Sequence, residues 1–513
     1  MSRWDVLVLG SGFSGSILSA ALARMGKRVL LVERGRHPRF AIGESTSPLT
    51  NLLIEEIADE YHLPWLRPLS TWGTWRHAYP NLDVGLKRGF TFFTHAGDGS
   101  HLDWSDRSRQ LLVGASPNDR IADTHWRRDC LDEFLMESAV REGVTYLDQT
   151  QVDGIEMDAG GSSVDLATGA ARRREQVDFI VDATGPRGAL FQLTDQRGSI
   201  PGSLPANHGL FAHFEGVEPT PTAIDRSSQT PYPADAAAVH HLFPGGWIWV
   251  LRFASSRVSA GAALEPWLAE ELRFGTEGDW SRLLKRLPAV ERLFRNSTRL
   301  TPWVRSTQLP FQAERLAGPG WVMLPSAAGF VDPLFSTGFP LTLLGVQRVL
   351  KQLSGAVPES TDWTAYTRQT RLELTLTARL IGAAYRCFGD MTRFAALSMI
   401  YFCAASFAEL ARRLGQSALA PGFLLANERR FQAAIEPLLS AAETGQSITT
   451  AGTGPLLEPF NVAGLSDPAK RNWYGVEFED AVCASDKLGV EPQAVRRCLE
   501  SLDPATAGHS RGD

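Results

Sequence analysis

Lysine is what this chain has least of for its charge: of 51 basic residues only six are lysine, at positions 27, 87, 285, 351, 470 and 487. Cysteine is also sparse. The five, at 130, 387, 403, 483 and 498, are odd in number and form no CxxC pair, which argues against a disulfide scaffold or a zinc site. No metal is expected. A net charge of −6 gives no reason to expect nucleic acid or an anionic membrane as partner. The longest uncharged apolar run, FAALSMIYFCAASFA at 394–408, is too short to span a bilayer comfortably and reads as a buried helix. The first residues enter a strand-like pattern with no basic segment followed by an apolar one, so a cytoplasmic location is expected.

What is present begins at the start of the chain. In DVLVLGSGFSGSILSAALARMGKRVLLVER, a short apolar strand is followed by Gly10, Gly12 and Gly15, an alanine-rich helix, a second strand and Glu33. Gly10 permits the tight turn, Gly12 lets backbone approach a pyrophosphate, and Gly15 lets helix and strand pack closely. Glu33 stands where a ribose 2′-hydroxyl would be read, which disfavours a 2′-phosphate and hence NADP.

Two later segments, VDFIVDATGP at 177–186 and WVMLPSAAGFVDPLFSTGFP at 321–340, repeat a strand, an acidic turn and, in the second, a long apolar helix. Together with RRDCLDEFL, which carries Arg128, Leu131, Asp132 and Leu135, they resemble the fingerprints of FAD-dependent monooxygenases of the hydroxybenzoate-hydroxylase type. In that fold Asp332 would meet the flavin ribityl chain, and a helix N-terminus would aim at the ring. The expected architecture is therefore α/β: an FAD-binding Rossmann-like (GR2-type) domain at 1–75, 105–190 and 315–355. An antiparallel sheet region for substrate is inserted at 76–104 and 191–314. A mainly helical C-terminal domain at 356–500 precedes a disordered tail at 501–513. No second GxGxxG in a βαβ setting is evident, so electrons are expected as FADH2 from a separate reductase.

In DVGLKRGFTFF the rare lysine, Lys87, precedes an arginine and an aromatic run. Arginine cannot replace an amine chemically, since it stays protonated. Taken together, GSGFSGS, RFAIGESTSP, GLKRGFTF, HHLFPGGWIWVLRF and GFVDPLFSTG resemble flavin-dependent halogenases, notably the branch acting on free phenols. That resemblance makes Lys87 the catalytic residue and places Glu44 and Gly338 near the flavin. It implies a flavin hydroperoxide that oxidises chloride or bromide to hypohalous acid, which Lys87 directs to an electron-rich ring. The N–H groups of Thr337 and Gly338, at a helix start, are expected to cradle the halide.

Trp247 and Trp249 match two positions of the family's WxWxIP box, and with Phe90 and Phe335 they are expected on the substrate side. Leu251 and Arg252 depart from the Ile-Pro of that box, which keeps a flavin-dependent hydroxylase as the alternative. A non-catalytic flavoprotein acting on a protein partner is a third reading. Phe335 stands where the tryptophan-acting branch has glutamate, which argues against free tryptophan. His240 and His241 are potential orienting groups for a phenol but are read first as structural.

Overall fold

The computed structural model describes residues 3–100, 102–158, 161–221, 230–355 and 362–503. Its first layer is a parallel sheet. Arg3–Leu9 lies between Val29–Val32 and Ala171–Asp182, with Thr145–Leu147 outside the former and Trp321–Met323 outside the latter, all parallel. Strands covered on both faces must be apolar at successive positions, and Val6 to Leu9 and Val29 to Val32 are all buried. The helices Phe13–Arg24, Arg128–Arg141 and Gly338–Gln352 pack against one another beside this sheet. An antiparallel hairpin, Thr150–Asp158 with Gly161–Thr168, extends it beyond Ala171–Asp182.

The second sheet runs in the order Thr298–Arg299, His208–Glu215, Val258–Leu264, Gly246–Arg252, Ala238–Phe243, Gly89–Thr94, Gln110–Gly114 and Trp473–Tyr474. It joins the two inserted regions expected from the sequence. The expectation of an antiparallel sheet needs correcting in two places. Ala238–Phe243 pairs with Gly89–Thr94 in parallel, as does Trp473–Tyr474 with Gln110–Gly114. Segments far apart in the chain meet at those pairs, so no hairpin constrains their direction. The sheet also takes Gln110–Gly114 from a stretch assigned above to the flavin domain.

From residue 362 to 503 the chain is helical apart from Trp473–Tyr474, with Thr364–Tyr385, Met391–Arg413 and Arg429–Glu443 as the long elements. Met391–Arg413 is long and apolar enough to cross a membrane, and it is buried inside the fold. Asp390 caps it by accepting from the Arg393 N–H at 3.1 Å. The expected tail starts later than 501: Ser501 and Leu502 close the helix Pro492–Leu502, and Asp503 accepts from Arg120. Residues 504–513 lie outside the described residues.

Candidate active site

At the nucleotide end, Gly10 has φ +93° and a Cβ there would lie 2.8 Å from the Ala183 carbonyl oxygen. A Cβ on Gly15 would lie 1.9 Å from the Gly10 carbonyl oxygen, so strand and helix meet as the motif requires. Gly12 differs. Its Cβ would meet the guanidinium groups of Arg128 and Arg39 at 3.5 and 3.7 Å, an ordinary distance. Protein packing therefore does not demand glycine at 12. The backbone there faces Arg128, Arg39 and Asp132, and the helix start has no side-chain cap, an arrangement suited to the close approach of an anion. Glu33 accepts from the Ser11 N–H at 3.1 Å and the Gly35 N–H at 2.9 Å, and pairs with Arg39 at 3.1 Å. Burial raises its pKa, but Arg39 and the N–H donors together hold it below the usual carboxylate value. Arg128 is fixed by two 2.8 Å bonds to Asp132 and lies over the Phe13 ring. An anionic diphosphate with a ribose fits this donor set.

Glu44 is buried against His213, whose Nε2 lies 2.8 Å from Oε1; Oε2 has no partner. Asp332 accepts from the Leu334 N–H at 3.0 Å through Oδ1 and from the Tyr385 hydroxyl at 2.8 Å through Oδ2. The same hydroxyl accepts from Trp247 Nε1–H at 2.9 Å. Burial pushes the Asp332 carboxyl up to about 6. Just after it, Phe335 and Ser336 hold φ of 63° and 55°, and Thr337 then starts the helix Gly338–Gln352 without a side-chain cap. A positive φ in a phenylalanine is a strained choice for the backbone. Here it turns the ring onto Tyr401, with centroids 4.8 Å apart, and leaves Ser336 beside Lys87.

Lys87 is 0% exposed, at the end of the strand Val84–Lys87. Its ammonium donates to the Thr46 carbonyl and, at 3.4 Å, to Ser336 Oγ, and it lies 3.8 Å from the Phe90 ring centroid. Desolvation lowers its pKa to about 7, opposed by the charge of Asp123. Asp123 is its partner across the antiparallel pair with Asp123–Trp126. Burial pushes Asp123 in turn up to about 7. A cavity of about 200 Å³ is walled by Asp123, Phe90, Tyr401 and Phe402 among others, while Lys87, against the Phe90 ring, is not part of that wall. Chemically the arrangement offers an amine near its neutral form, a carboxyl near its protonated form and aromatic walls.

A family model described as tryptophan halogenase matches residues 124–390. The chain belongs to the tryptophan halogenase family. A second model, an NAD(P)-binding Rossmann-like domain, matches residues 8–51. Tetracycline 7-halogenase of Kitasatospora aureofaciens is 30% identical over 69% of this chain and 64% of its own length. The monodechloroaminopyrrolnitrin halogenase PrnC of Pseudomonas fluorescens is 29% identical over 69% of this chain and 62% of its own. The match thus spans less than two thirds of either relative. In fold, halogenase PltM in complex with phloroglucinol and FAD aligns with a TM-score of 0.79 at 21% identity, covering 91% of this chain and 99% of that one. The brominase Bmp2 aligns at 0.62 and 19%, covering 85% and 99%.

Trp247 and Trp249 share one face of their strand, ring centroids 5.5 Å apart, while Ile248 and Val250 pack on the other. Arg252 sits apart from both rings. It donates to the Val217 and Glu218 carbonyls and pairs with Asp235 at 2.8 Å, so the departure from the family box is absorbed by a loop tether. The two histidines separate by strand alternation: His240 stacks on Phe92 at 4.5 Å, whereas His241 meets His95 at 3.1 Å on the opposite side. Burial lowers His240 to about 3, which keeps it neutral.

Sequence reasoning missed Asp123, Tyr385, Tyr401 and Arg39. For Arg39 a signal existed, since RGRHPRF follows the acidic residue directly. For the other three there was none, because each reaches the site from a distant segment.

Proposed function

We propose that the protein is a flavin-dependent halogenase acting on a small electron-rich aromatic, a phenol foremost. The observation that carries this is Lys87, an amine buried without a carboxylate in direct contact among the described residues, drawn toward neutrality and set against the Phe90 ring, which itself lines a cavity. FAD is the group the nucleotide end would hold: Glu33 at a ribose, Arg39, Arg128 and the uncapped helix start at phosphates, and the chain around Asp332 to Gly338 at the ring system. Reduced flavin, when bound, supplies the electrons with which O2 and chloride or bromide yield hypohalous acid. Thr337 and Gly338, with uncapped N–H groups, supply a halide cradle next to Ser336. Lys87 holds the hypohalous acid by hydrogen bond or as a haloamine, and the haloamine is closed to a permanently charged arginine. Trp247 and Trp249, locked by Tyr385 and by Gly261 across the sheet, wall the flavin side from the substrate side. Phe335, packed on Tyr401, leaves no carboxylate at its own position, in keeping with a phenol in preference to free tryptophan.

The test is turnover with reduced FAD, O2 and bromide over a panel of small phenols, read by mass spectrometry against a bromide-free control. An enzyme-dependent bromine isotope doublet is expected. A +16 product independent of halide would replace the reading by the hydroxylase. The electrons are expected from a separate reductase, so NADH added alone should support no turnover.

A further inference from the structure

We propose that Asp123 accepts the hydroxyl proton of the substrate, and that the cavity it faces takes a single-ring phenol. This inference rests on the halogenase reading and adds to it the group that activates the ring. Asp123 is 1% exposed. Its Oδ1 accepts from Asn51 Nδ2–H at 2.8 Å, while Oδ2 has no partner among the described residues. A buried carboxylate oxygen left without a donor is destabilising, the more so when charged. Here the carboxylate lines the cavity, so a ligand's donor can satisfy it.

Of the other charged groups on the cavity wall, Arg413, Glu409 and Glu55 engage one another, and Glu477 is solvent-exposed. On the helix Met391–Arg413, Arg413 pairs with Glu409 at 2.7 Å and reaches Glu55, on the helix Pro48–Glu60, at 3.0 Å. Lys87 faces Asp123 from the neighbouring strand and His125 lies two residues along its own; Tyr401 and Tyr474 are the tyrosines on the cavity wall. Asp123 Oδ2 is an acceptor on the cavity wall that lacks a donor among the described residues, and Phe90, Tyr401 and Phe402 give that wall aromatic faces. A cavity of roughly 150 Å³ accommodates benzene. The volume of about 200 Å³ thus suits one substituted ring in preference to a fused polycycle.

The chemistry balances. As the ring carbon bonds to the halogen of hypohalous acid, the halogen–oxygen bond breaks, and the released hydroxide takes a proton from the Lys87 ammonium to leave as water. The phenolic O–H proton passes to Asp123, giving a halogenated dienone. Loss of the ring proton to the Lys87 amine and return of the Asp123 proton to oxygen restore the phenol. Hypohalous acid is the oxidant consumed. The raised pKa of Asp123 supports the role, because it brings the base closer to a phenol at ~10.

The experiment compares wild type with Asp123→Asn on phenols of graded acidity, in saturating bromide and reduced FAD. We expect Asp123→Asn to lower kcat on phenol ~10²-fold or more, and the deficit to shrink below tenfold on 4-nitrophenol, which is largely ionised at pH 8. Flavin oxidation should be unchanged. The wild type alone supplies a second arm: methyl ethers of accepted phenols, and naphthols, should turn over at least tenfold more slowly. Equal deficits on all phenols would make Asp123 merely structural and overturn the proposal, as would methyl ethers processed as fast as phenols. If wild type gave no bromide-dependent product from any phenol, the halogenase reading itself would fall and this inference with it.

Discussion

At the nucleotide end, Glu33 is given N–H donors from Ser11 and Gly35 and the guanidinium of Arg39, and its carboxyl is held ionised. At the lysine end, burial is as deep but the compensation is partial. Lys87, Asp123 and Asp332 are all drawn toward neutrality, to about 7, about 7 and about 6. The difference separates two uses of charge. Fixed charges and helix-terminal N–H groups suit the holding of an anion that stays what it is. Groups poised near the working pH suit the passing of protons and of a halogen. One chain builds both from the same residue types by varying how many donors each carboxylate receives.

The sharpest way to break this contrast is at Lys87. Lys87→Ala and Lys87→Arg should each lower halogenation ~10³-fold while leaving oxidation of reduced flavin and peroxide release intact; an active Lys87→Arg would show that a fixed cation suffices. Gly15→Ala should act at the other end alone. With a Cβ 1.9 Å from the Gly10 carbonyl it should abolish retention of flavin, read as the visible absorbance carried through gel filtration.

Smaller effects sharpen the comparison. Tyr385→Phe removes the hydroxyl that joins Trp247 to Asp332, leaving two buried polar groups short of a partner, and should lower stability by ~1–3 kcal/mol in urea titration. The sign with pH follows from Asp332. Burial raises its folded pKa, so its ionisation weakens the fold as pH rises from about 4 through about 6, and Tyr385 offsets part of that. The Tyr385→Phe loss should therefore be larger at pH 8 than at pH 5. Arg252→Ala should be mildest: a lowering of ~1 kcal/mol or less, with kcat and the halogenated-to-hydroxylated product ratio unchanged, since its contacts are to a loop.

How far the site could be read from the chain varied with the distance over which it is built. Gly10, Gly12, Gly15 and Glu33 act through a single strand-turn-helix-strand unit, so their spacing carries their geometry. Trp247 and Trp249 share a face because strand alternation is local. Arg252 looked like a threat to the function because the departure from a motif is visible in sequence, while the loop carbonyls and Asp235 that occupy it are not. Asp123 went unread for the same reason. Nothing in RIADTHW says which strand it will pair with.

By itself the sequence determined a glycine-turn nucleotide site, a sheet-and-helix substrate side and a lone amine in an aromatic run, because periodicity and turn chemistry act over a few residues. The tertiary structure alone decided that Lys87 faces Asp123 across a strand pair, that Tyr385 bridges Trp247 to Asp332, and that Tyr401 from the helical region closes on Phe335. These depend on which distant surfaces bury one another. It is burial, not residue type, that moves an amine and a carboxyl to the pH at which they can exchange a proton.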